Sequence, residues 1–140
     1  KKMWWIYALL SALFAALTAI FAKIGVENVN SNLATAIRTV VVLIMIWLIV
    51  MFRNEYKGIN ELSQRNWFFL SISGLATGLS WIFYFKALQM GEVSKVAGID
   101  KLSLALTVIF AIIFLGETLT WKTAAGAGLI VIGTLFLIWK

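Results

Sequence analysis

Residues 33–52 read LATAIRTVVVLIMIWLIVMF. The run holds one charge, Arg38, and neither Gly nor Pro, and its apolar side chains are continuous rather than alternating. As an α-helix rising about 1.5 Å per residue it forms a rod of about 30 Å, the thickness of a bilayer's hydrocarbon core. Similar blocks occupy 4–23, 67–88, 96–115 and 121–139. Each is too long and too evenly apolar for a barrel strand, which needs only about 9–11 alternating residues. A helix satisfies its backbone polar groups internally, as lipid demands. The sequence therefore predicts an all-α integral membrane protein, with 1–140 forming a single bundle of five transmembrane helices.

Composition agrees. Hydrophobic residues make up 62% and charged residues 13%, with a mean hydropathy of +0.96. Soluble domains are about half apolar and a quarter charged. Cys, His and Pro are absent, which removes disulfides, thiolate or imidazole metal sites and proline kinks. No nucleophile–base or metal constellation is visible, so no enzyme, metal or organic cofactor is expected. The net charge of +6 comes from cations set singly between apolar blocks. There is no basic stripe with stacking aromatics, and nucleic acid is not an expected partner. The N-terminal block exceeds a signal peptide's apolar region and leads into further spans, so it reads as a retained first helix.

The connections, 25–32, 53–66, 91–95 and 116–120, are short and polar. Trp4, Trp5, Trp67, Trp121 and Trp139 fall at block ends, where indoles prefer the headgroup zone. Trp81 lies inside the third block, with Tyr84 three residues on. Small residues mark close approaches: Gly74 and Gly78 in the third block, and Ala124, Gly126 and Gly128 in the fifth. They serve either packing within one bundle or a dimer contact.

Three charges lie inside the blocks: Arg38, Asp100 and Lys101. Each costs at least about 2.5–3.5 kcal/mol near mid-bilayer. Arg38 is 14 residues from the end of its block and Asp100 is 15 from the end of its own, roughly 21 and 22 Å. The two blocks run in the same direction, so the residues share a depth. They form an ion pair or line one polar cavity, with Lys101 facing it; alternatively, Arg38 and Lys101 snorkel to the near interface.

Residues 91–117, GEVSKVAGIDKLSLALTVIFAIIFLGE, resemble the fourth helix of EamA-type members of the drug/metabolite transporter superfamily. The specific parts are Ile99-Asp100-Lys101-Leu102-Ser103 and Leu115-Gly116-Glu117. The Gly-rich 124–133 segment and the third-block ending at 84–88 also fit. Gly98 stands where many relatives look to have Pro. The resemblance implies a secondary transporter of a small polar metabolite, amino acid or drug-like solute working by alternating access. It further implies a half-size five-span unit of the bacterial and archaeal subfamily, in a prokaryotic inner membrane. Larger members join two such units in inverted orientation, with a cavity lined by the first, third and fourth helices. Mapped here, the substrate-path candidates are Thr18, Thr77, Trp81, Tyr84, Asp100 and Lys101, joined by Arg38 from the depth argument. Proton or ion coupling through Asp100 is open.

Five spans put the two ends of the unit on opposite faces. The N-terminal face holds Lys1, Lys2, Arg53, Lys57, Arg65 and Lys122; the other holds Lys23, Lys86, Lys95 and Lys140. Six against four is a weak positive-inside bias toward a cytoplasmic N-terminus, which leaves room for dual topology and an antiparallel homodimer. The competing reading is an accessory subunit packed against a larger membrane partner.

A double-mutant cycle on Arg38→Leu and Asp100→Leu tests the shared-depth argument. An ion pair implies coupling of at least about 0.5 kcal/mol in detergent unfolding; additive effects would sink the pairing and leave the snorkelling alternative.

Overall fold

Each apolar block becomes helix. The computed structural model describes residues 3–139; Lys1, Lys2 and Lys140, which enter the charge count, lie outside them. The helices are α1 (Trp4–Gly25), α2 (Ser31–Phe52), α3 (Gln64–Met90), α4 (Val93–Asp100), α5 (Leu102–Leu115) and α6 (Trp121–Ile138), with a 3₁₀ segment over Glu55–Glu61. Among the described residues there is no strand. Five stretches are long and apolar enough to cross a membrane, Val93–Leu115 counting as one of them. The large apolar side chains point outward: Phe52 is 89% and Trp121 85% exposed. Water would not tolerate that surface, and lipid does. The protein is a multi-pass membrane protein.

Local chemistry sets the helix ends. Asn30 caps α2, its side chain accepting from the amides of Asn32 (2.9 Å) and Leu33 (3.3 Å). Thr120 caps α6 through the amide of Thr123 at 3.2 Å. These caps answer amide donors that a helix start leaves unpaired. Gly116 ends α5 at φ 66°, a left-handed conformation that costs glycine nothing. The amide of Glu117 then closes back on the Ala111 carbonyl at 3.2 Å.

The chain divides into two compact units. The central unit, Ala22–Gln89, contains the last residues of α1, all of α2 and nearly all of α3. Its buried residues are Ala22, Val26, Ser31, Thr35, Phe85 and Leu88. The Lys23 ammonium donates to the Leu88 carbonyl, and the Gln89 amide donates to the Val26 and Val29 carbonyls. Long polar side chains thus satisfy main-chain acceptors that no helix bond reaches. On α2, the Thr35 hydroxyl donates to Ser31 O and the Thr39 hydroxyl to Thr35 O, each at 2.8 Å. This i−4 back-bonding lets hydroxyls sit in a span without an outside partner.

The terminal unit takes 1–21 and 90–140 and is organised by α4, α5 and α6. The block read as one helix over 96–115 starts earlier, at Val93, and is interrupted at Lys101. No proline is needed. Lys101 has φ −69° and ψ −12°, and its amide bonds to the Gly98 carbonyl three residues back, at 3.1 Å, a 3₁₀ tightening of the helix. Gly98 is buried, and a Cβ there would lie 2.8 Å from Leu137 Cδ1 on α6. The missing side chain is what lets α6 approach.

Gly98→Ala pits a helix-propensity gain of about 0.8–1.0 kcal/mol against a shift of the Leu137 δ-methyl, about 0.5–1.5 kcal/mol if the side chain leaves its rotamer. We expect the two to nearly cancel in detergent melting, and clear stabilisation once Leu137→Ala removes the methyl. Destabilisation that persists in the Leu137→Ala background would refute the close-approach account.

Candidate functional site

The interrupted fourth span puts a charged pair at its break. Asp100 closes α4, and Lys101 is the turn residue before α5. Their side chains contact each other, Nζ to Oδ2 at 3.5 Å, with exposures of 60% for Lys101 and 40% for Asp100. Both therefore point away from their own unit's packing. An exposed pair of this kind is weak in water, and in a hydrocarbon span it calls for a wet cavity or a partner surface.

Thr134 holds this break in position. It is 3% exposed, and its hydroxyl donates to the Gly98 carbonyl at 3.0 Å. That carbonyl also accepts from the Lys101 amide. One oxygen thus receives two donors, using both lone pairs, at the residue that permits the close approach of α6. The sequence reading missed Thr134, although it is the one polar side chain in 129–138.

The second cluster belongs to the central unit. Arg38, half-buried on α2, lays its guanidinium over the Trp81 ring at 4.3 Å and the Phe85 ring at 5.3 Å. The two rings are four residues apart on α3 and so share a face. Phe85 is 2% exposed and forms the floor; Trp81 is half-exposed. Tyr84 packs edge-on against Phe85, centroids 6.4 Å apart. A cation on such a face gains about 0.5–2 kcal/mol. Arg38 and Trp81, singled out separately from the sequence, are brought together here.

The remaining candidates are less engaged. Thr77 is exposed and bonds its own helix at Ser73 O, 2.9 Å. Thr18 is half-exposed on α1. Among the described residues of its own unit, an added Cβ at Gly74, Gly78, Gly126 or Gly128 would meet nothing within 4 Å. A cleft of about 450 Å³ at the end of the central unit is lined by Lys23, Ile24, Val26, Glu27, Asn28 and Gln89. Among the described residues no group of Asp and Glu could hold a metal ion.

The family model for EamA-like transporters matches residues 2–139. The chain belongs to the EamA-like transporter family. It is 49% identical over 137 residues to a Sinorhizobium sp. protein named "Uncharacterized transporter in cobO 3'region", covering 98% of this chain and 97% of that one. It is 33% identical over 132 residues to "Uncharacterized protein MJ1333.1" of Methanocaldococcus jannaschii, covering 94% of this chain and 93% of the relative. No solved structure matches. Family membership makes this EamA-like chain a membrane transporter in general terms, and the half-size expectation agrees with relatives of nearly equal length.

Thr134→Val keeps the volume of the clamp and removes its hydroxyl. A loss of about 0.5–1.5 kcal/mol is expected, with Thr134→Ser close to wild type in detergent melting. Equal stability of the Val and wild-type proteins would remove Thr134 from the account of the break.

Proposed function

We propose that this protein is half of a secondary transporter, moving a small polar solute by alternating access between two antiparallel copies. The observation that carries the reading is the interruption of the fourth span at the Asp100–Lys101 pair. Discontinuous transmembrane helices recur in transporters, where broken backbone and half-helix ends meet the solute near mid-membrane. Irregular backbone at membrane depth is tolerated where protein or a water-filled cavity surrounds it. An exposed pair at such a break fits a path lining better than a lipid-facing surface.

The antiparallel homodimer is supported by topology. With an odd number of spans, two units joined in tandem are inverted relative to one another, and inverted repeats are a common basis of alternating access. The six-to-four distribution of cations is only a weak bias toward a cytoplasmic N-terminus and leaves room for both orientations. The glycines at 74, 78, 126 and 128, open to an added Cβ, offer a second copy a close approach. The solute path in this reading draws on Thr18, Arg38, Thr77, Trp81, Tyr84, Asp100 and Lys101. Asp100 is the acid available for proton coupling.

A cysteine added after Lys140 tests the arrangement. In intact cells, a membrane-impermeant maleimide should label about half of it, and the rest should react only after permeabilisation. Labelling from one side alone would exclude dual topology. Uptake into proteoliposomes driven by a pH step, compared between wild type and Asp100→Asn, tests coupling; equal pH-driven uptake would rule Asp100 out as the proton carrier.

A further inference from the structure

Arg38 is seven residues into α2, about 10 Å from its N-terminal end at 1.5 Å per residue. Its guanidinium rests on Trp81 and Phe85. Stacking occupies the faces of that planar group, while its five N–H donors lie in the plane and leave by the edges. Among the described residues of the central unit, no carboxylate pairs with Arg38. Glu55 is engaged by Arg53 at 2.8 Å. The neighbouring Thr35 and Thr39 hydroxyls are turned to their own helix.

A permanently charged fork inside a span, with no carboxylate partner among the described residues of its own unit, has a cost that something must offset. The aromatic contact supplies part and also fixes the direction of the fork. A held guanidinium loses little freedom when it binds, and its geometry matches two oxygens of one anion. Lysine would be a point charge without that match. The ring platform would equally exclude a cationic solute, because the favourable position over Trp81 is already filled by a cation.

We propose that Arg38, braced on Trp81 and Phe85, is the receptor for the oxyanion end of the transported solute, a carboxylate or phosphate group on a small organic anion. This rests on the transporter reading above and adds the charge class of the solute. The phosphate of a lipid headgroup has the same chemistry, and the test separates the two.

Protein purified in a neutral maltoside detergent is titrated by calorimetry with benzoate, inorganic phosphate and benzylammonium. Wild type binds at least one of the anions and not benzylammonium. Charge-assisted bonds of this kind carry a loss of roughly 10- to 100-fold in Arg38→Gln. Arg38→Lys keeps the charge and still loses affinity, and Trp81→Leu loses about 2- to 30-fold while Trp81→Phe stays near wild type. Should Arg38→Gln fail to fold, the Arg38→Lys and Trp81→Leu losses carry the test. Equal anion affinity across these variants, or benzylammonium binding as tightly as benzoate, overturns the proposal. So does phosphatidylglycerol retained through Arg38 in native mass spectrometry when neither soluble anion binds. Uptake of labelled benzoate into proteoliposomes separates the two levels. Uptake unaffected by the Arg38 variants removes the site and leaves transport standing. Arg38-dependent binding without uptake supports the site and counts against the transport reading.

Discussion

Hydrocarbon offers a backbone carbonyl no hydrogen-bond partner, so a break in a transmembrane helix exists only where the chain supplies one. The fourth span meets this constraint at a single oxygen. The Gly98 carbonyl accepts the Lys101 amide across a 3₁₀ step and the Thr134 hydroxyl from α6. Gly98 has no side chain to keep α6 away, and Thr134 brings the only hydroxyl of its stretch to the gap. This chain has no proline and reaches the 3₁₀ step beside close packing and a side-chain donor.

The two candidate clusters handle charge in different ways. Asp100 and Lys101 contact each other at 3.5 Å and are left largely open. Arg38 instead lies against aromatic rings, Trp81 and Phe85, with no carboxylate partner among the described residues of its unit. The first arrangement is locally near neutral, and a wet path can accommodate it. The second is a net positive charge held in one orientation, an arrangement suited to recognition. The rest of each span is apolar and faces outward, so lipid covers it without specific chemistry.

Much of the fold was legible because the bilayer reduces it to length and continuity. The blocks at 4–23, 33–52 and 67–88 became α1, α2 and α3, with the start of α1 and the end of α2 unchanged and the other ends moved outward by two or three residues. Those shifts come from Asn30 capping and from polar residues that extend helices past the hydrocarbon. Gly116 was legible as a helix end because its left-handed turn suits glycine. Arg38, Trp81, Asp100 and Lys101 stood out because charges and mid-span indoles are expensive or misplaced there. Thr134, the Ser31–Thr35–Thr39 ladder and Gln89 did not stand out. Single hydroxyls and amides are ordinary in a sequence, and their importance comes from the carbonyl each one reaches.

By itself the sequence determined an all-α membrane protein of five apolar spans, because lipid thickness and backbone hydrogen bonding allow little else for such blocks. It also marked which side chains were out of place. Tertiary structure alone decided what those side chains do. That Arg38 lies on Trp81 depends on the fold bringing these two side chains of α2 and α3 together within one unit. That the fourth span breaks at Lys101 without proline depends on Leu137 and Thr134 arriving from α6, 36 residues further along the chain from Gly98 to Thr134. Contacts between residues so far apart in sequence have no local pattern, and only the folded chain brings them within bonding distance.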